Sequence, residues 1–226
     1  MRVKFQKVSR VPAKTAKTPK IVTEKPIDNG PKQTKPRFAV FVPKVNDLVV
    51  DSIKYLPRNA KVLDLGCGEW ANALFLARKG FDVVAIDILK PSIDKLKENA
   101  EKEGLKIEAI VGNIETYLKG CKEFDAIFGI NVLQFVKSKI IFTVITDIKR
   151  KTAPKGLNII VSFISKDRAQ KSVIIAKGWY IFYKNELATL YKEQTMHLYQ
   201  EKITNIKARD KSLRKKFIVK MISKKK

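Results

Sequence analysis

The chain has 226 residues, 45% of them hydrophobic, and a formal net charge of +25. That length and apolar fraction fit one domain with a full core plus tails, and no stretch is apolar for long enough to span a membrane. Two cysteines without metal-ligand spacing and a single histidine, His197, exclude a disulfide framework, a histidine-rich metal centre and a serine–histidine triad.

The excess charge sits at the ends. Residues 1–38 hold 11 Lys/Arg against 2 acids, and residues 202–226 hold 11 against 1. Such ends suit a polyanion such as RNA, reached through residues 1–37 and 202–226; lysine-rich ends that merely keep a protein soluble are the alternative. The basic N-terminus has no apolar segment behind it, so no signal peptide is expected, and reduced cysteines point to the cytoplasm.

In chain order, residues 1–37 contain five of the nine prolines and little apolar periodicity, which predicts a flexible basic arm ahead of a domain over 38–226. The run FAVFV (38–42) is expected to dock on the body. Val45, Leu48, Val49, Ile53 and Leu56 recur at helical spacing over 44–56. A continuous apolar run at 62–65 reads as a buried parallel strand, followed by Gly66-Cys67-Gly68, a helix closed by Lys79-Gly80, and a second strand ending on Asp87. Pro91 opens a helix with Ile93, Leu96 and Ala100 inward. Residues 107–111 and 124–130 read as strands three and four. An apolar helix over 140–148, a turn at 154–156 and a fifth strand over 157–164 follow.

Strands alternating with helices predict an α/β, doubly wound, Rossmann-like sheet, mostly parallel. The last third differs. An aromatic-dense stretch at 178–183 precedes a helix over 185–192, and two further strands, 196–206 and 213–222, are joined by a polar turn, giving seven strands with a C-terminal antiparallel hairpin. His197 reads as an ordinary strand residue.

The strand–glycine loop–helix–strand unit suits a nucleoside. Glycines let a ligand approach the backbone, and an acid closing the second strand accepts hydrogen bonds from ribose hydroxyls. Gly66-x-Gly68-x-x-Ala71 also satisfies the dinucleotide fingerprint. Asp64, two residues before the first glycine, argues against it, because an anion there suits a cationic ligand and not a pyrophosphate. With Asp64, Gly66, Gly68 and Asp87 in these places, the chain resembles the class I S-adenosylmethionine-dependent methyltransferases.

A narrower resemblance, to the tellurite-resistance (TehB-like) methyltransferases, is carried by LDLGCG (63–68), Asn72 with LFLA (74–77), NVLQFV (131–136) and FYKNELATLY (182–191). It departs at Trp70 and Ala71, where that family has a third glycine and then a basic residue. The resemblance implies S-adenosylmethionine as cofactor, held by Asp64, Gly66, Cys67, Gly68, Asp87, Ile88, Asn113, Ile114 and Asn131, and a small-molecule acceptor. Asn113 alternatively reads as a turn former. Tyr180 and Tyr183 are candidates for the acceptor pocket, with packing over the sheet as the plainer role. The fourth strand lacks the (D/N)-P-P-(Y/F) element of base-amino methylation, and no cysteine follows it for attack on cytosine. An RNA or ribosome-associated methyltransferase, and a non-catalytic nucleic-acid-binding protein on the same scaffold, stay open. No catalytic base can be named.

Overall fold

A computed structural model describes residues 44–68, 70–165, 178–207 and 213–226. The expected arm over 1–37, the 38–42 run and most of the 207–212 turn lie outside them. β1 (Lys61–Leu65) stands at the centre of an eight-stranded sheet. Its parallel neighbours are β2 (Asp82–Asp87) on one side and β4 (Phe124–Ile130) on the other, with Leu63 level with both Val84 and Ile127. β3 (Ile107–Val111) extends the first side and β5 (Thr152–Ser165) the second. β8 (Leu213–Lys224) then pairs antiparallel with β5, and β7 (Thr195–Lys207) closes the edge, giving the order β3-β2-β1-β4-β5-β8-β7. The two-residue β6 (Phe182–Tyr183) pairs with the end of β5.

β1, β2 and β4 are buried on both faces, which is why they read as unbroken apolar runs. Successive residues feed two cores. Leu63, Leu65, Val84 and Ile86 pack beneath α4 (Ile114–Gly120), α5 (Ile141–Lys151) and α6 (Glu186–Leu190). Val62, Val83 and Ala85 pack beneath α1 (Asp47–Ser52), α2 (Ala71–Arg78) and α3 (Lys90–Lys102). α3 buries Ile93, Leu96 and Ala100 as its spacing predicts. Its outer face carries exposed ion pairs such as Lys90–Asp94, each of small worth.

Three expectations are revised. The helix over 44–56 is shorter, α1 continuing into a 3-10 turn, Ile53–Tyr55, and α4 was not foreseen. The turn at 154–156 lies inside β5: Phe124 pairs with Thr152 and Ala126 with Leu157, so the strand bulges there. Gly156 fits because a Cβ would lie 2.8 Å from the Ala153 carbonyl oxygen and 2.9 Å from that of Asp125. The strand expected over 213–222 is β8, so the basic C-terminal run belongs to the sheet. β8 supplies Val219 and Met221 to one core and Ile222 to the other.

β1 leads to β2 on one side, while β4 lies on the other. Strand order therefore reverses at β1, and in open α/β sheets the crevice at the carboxyl ends of such strands is the ligand site.

Candidate functional site

Beyond Leu65 the chain turns sharply, with Gly66 at φ +62° and Gly68 at φ +47°, a region that favours glycine. Cys67 N donates to the Ile86 carbonyl at 3.1 Å and extends the β1–β2 ladder into the loop. Gly66 is required for space as well: a Cβ there would lie 2.3 Å from Cγ2 of Val132. Trp70 stands at the N-cap of α2 in the left-handed region, at φ +59°. Trp70 packs partly buried against the core under α2.

Asp87 is buried at the tip of β2. Its Oδ2 accepts from Gly68 N and its Oδ1 from Leu89 N, each at 2.9 Å. A carboxylate oxygen has more than one acceptor site, so both can still receive hydroxyl donors. Asp64 sits behind the loop, 1% exposed, and among the described residues neither of its oxygens has a hydrogen-bond partner. Burial, and then the charge of Asp87, push its carboxyl up to about 7.

A cavity of about 630 Å³ opens in front of these groups. One half is lined by Gly68, Asp87, Ile88 and Leu89, with Asn113 and Ile114 at the head of α4. Asn113 Oδ1 caps that helix, accepting from Glu115 N at 2.8 Å, so the turn-forming role is met alongside its place in the wall. The other half follows β4. Gly66 and Asn131 begin it, Val132, Phe135 and Val136 continue through a 3-10 turn, Leu133–Phe135, and α5 adds Ile140 and Val144. Asn131 is itself left-handed, at φ +55°; its carbonyl accepts from Gln134 Nε2 at 2.7 Å, which fixes the bend.

The sequence-derived residues thus divide. Gly66, Gly68, Asp87, Ile88, Asn113, Ile114 and Asn131 share the cavity wall. Asp64 and Cys67 do not reach it: both are buried behind the loop, and burial raises the Cys67 thiol further from ionisation. Neither Tyr180 nor Tyr183 lines the cavity. The Tyr180 ring lies edge-on to Phe142 and Phe182, its hydroxyl donates to Glu186, and Tyr183 N donates to Oε2 of the same glutamate at 2.6 Å. His197 stacks on Tyr55 in β7, as an ordinary strand residue would. No group of three or more His, Cys, Asp or Glu placed to hold a metal occurs among the described residues. Leu89, Glu115, Phe135, Lys137, Ile140 and Val144 were missed. For Leu89 and Glu115 the available signal was their position shortly after a strand tip.

The reversal of strand order at β1, the antiparallel β7–β8 pair and the glycine loop closed by Asp87 define the class I methyltransferase fold. The sequence profile of the family described as tellurite resistance protein TehB matches residues 41–221, and the chain belongs to that family. A probable S-adenosyl-L-methionine-dependent methyltransferase TehB of Haemophilus influenzae is 31% identical over 164 residues, 73% of this chain and 56% of that protein. The crystal structure of TehB from Haemophilus influenzae superposes with a TM-score of 0.72 at 28% identity, covering 80% of this chain and 63% of that one. A ubiquinone biosynthesis O-methyltransferase of Rickettsia prowazekii is 33% identical over 125 residues, 53% of this chain and 48% of that protein. The chain spans about half the length of these curated relatives.

Proposed function

We propose that the chain is an S-adenosylmethionine-dependent methyltransferase that acts by direct displacement on a small-molecule acceptor. The observation that carries this reading is the pair of carboxylates around the glycine loop. Asp87 faces the cavity as an acceptor, and Asp64 waits behind the loop with no partner among the described residues. A pyrophosphate would meet two anions here. A ligand with ribose hydroxyls and positive charge would meet what it needs, because a buried unpaired carboxylate is costly until a cation approaches. The Haemophilus relative's name and the O-methyltransferase name of the Rickettsia relative agree with this chemistry.

In this reading Asp87 receives the ribose hydroxyls, Ile88, Asn113 and Ile114 flank the base, and Gly66 and Gly68 admit the chain carrying the charge, with Asp64 as its counter-ion. The cofactor supplies an activated methyl group on a sulfonium. The cavity's titrating side chains among the described residues are Asp87, Glu115 and Lys137. Asp87 is committed to backbone donors, and Glu115 pairs with Lys119 at 3.2 Å. With both carboxylates of the described lining engaged, the cavity offers positioning above all, which suits an acceptor that is already unprotonated.

Calorimetric titration of the full chain with S-adenosylmethionine and S-adenosylhomocysteine tests the reading. Micromolar binding of both is expected. Failure of both to bind would remove it.

A further inference from the structure

The half of the cavity beyond the glycine loop has a composition of its own. Its walls are Val132, Phe135, Ile140 and Val144, and Lys137 is the one lysine or arginine among the described residues that line the cavity. The backbone around the lysine is held in place, while its side chain is exposed. Its backbone bridges Trp179, Ser138 N donates to the Gly178 carbonyl at 2.9 Å, and the ring of Phe135 meets that of Trp179 edge-on with centroids 5.5 Å apart. Phe135, which lines the cavity, is 62% exposed, and Trp179, which packs on it from outside the lining, is 50% exposed, so a large apolar ring surface faces water beside the cavity. A lone cation at the rim of apolar walls biases the cleft toward ligands that carry negative charge. An uncharged polar ligand would lose hydration against these walls, and a small hydrophilic anion would leave them uncovered.

We infer that the acceptor is an apolar acid: a hydrocarbon or aromatic body resting on Val132, Phe135, Ile140 and Val144, with one carboxylate-type group paired to Lys137. Lys137 is then a specificity-determining residue that orients the acceptor. This rests on the methyltransferase reading for what the neighbouring half binds. The pairing itself concerns only this half.

The test is calorimetric, on the full chain saturated with S-adenosylhomocysteine, using 2-naphthoate and its uncharged near-isostere 2-naphthamide as probes. For the unaltered chain, naphthoate should bind about tenfold or more tightly than naphthamide, the ratio expected of a charge-assisted hydrogen bond in a cleft. Lys137→Gln should bring the two affinities together, and Lys137→Arg should keep them apart. Phe135→Ala should weaken both probes by a similar factor. Equal affinities in the unaltered chain, undetectable naphthoate binding, or a preference that survives Lys137→Gln would each overturn the inference. If S-adenosylhomocysteine does not bind, the methyltransferase reading fails separately, and the same probe comparison on the free chain still decides the role of Lys137.

Discussion

Gly68 donates its amide hydrogen to Oδ2 of Asp87 across 2.9 Å, so the glycine loop and the tip of the neighbouring strand form one hydrogen-bonded unit. The other oxygen accepts from Leu89 N, which ties the start of the next helix to the same carboxylate. Asp87→Ala should weaken S-adenosylhomocysteine binding by about 1–3 kcal/mol, because it removes the ribose acceptor and leaves two backbone donors to find water. Asp87→Asn should lose a similar amount, since its amide NH₂ would face one of those donors. Calorimetry reads both; unchanged affinity would mean that the ribose lies elsewhere.

Asp64 makes stability depend on pH in an unusual direction. Its carboxyl rises from an ordinary value near 3.8 to about 7 on folding, through burial first and the charge of Asp87 second. The folded state therefore holds a proton that the unfolded state has released, and stability falls as pH rises from about 4 to 7. Asp64→Asn should melt higher than the parent at pH 8, and the gain should shrink at pH 5. A difference independent of pH would show that the carboxyl does not titrate in this window. A cationic ligand needs the ionised form, so cofactor affinity should strengthen as pH rises through 7.

Gly66→Ala should lower stability by more than about 2 kcal/mol, through a left-handed alanine and a methyl group driven against Val132. Adding Val132→Ala should recover at least about 1 kcal/mol relative to the sum of the single changes. Strict additivity in denaturant melts would show that the two side chains do not compete for the same space.

Lys155 is exposed in the β5 bulge at φ +62°. Lys155→Gly relieves that conformation at some cost in unfolded-chain entropy, for a net gain of up to about 1 kcal/mol. Thermal melting checks it, and a lower midpoint would contradict the strain.

Legibility in the sequence follows burial. β1, β2 and β4 are largely apolar runs because both faces of a parallel sheet are covered there, and the limits of the first four strands could be read closely. β5 could not be: Pro154-Lys155-Gly156 has the composition of a turn, and only pairing with β4 makes it a bulge. α4, seven residues long, makes only about two turns, too brief for a periodic signal. The cofactor half of the site was visible because glycines and acids at fixed spacing have few other uses. The acceptor half was not. Val132, Phe135 and Val144 look like core residues in sequence, whereas the aromatic density at 178–183 drew attention to Tyr180, which packs in the interior. Trp179, in the same stretch, is the residue whose ring meets Phe135 of the cavity wall.

Val132 lines the acceptor half and also fills the space where a Cβ on Gly66 would stand, and this constrains how the acceptor range can drift. A change of side chain at 132 alters the cavity wall and the support of the glycine loop together. Variation that changes the acceptor without disturbing the nucleoside side has to enter from the opposite wall, at Phe135, Ile140 and Val144, where side chains can be exchanged against open space.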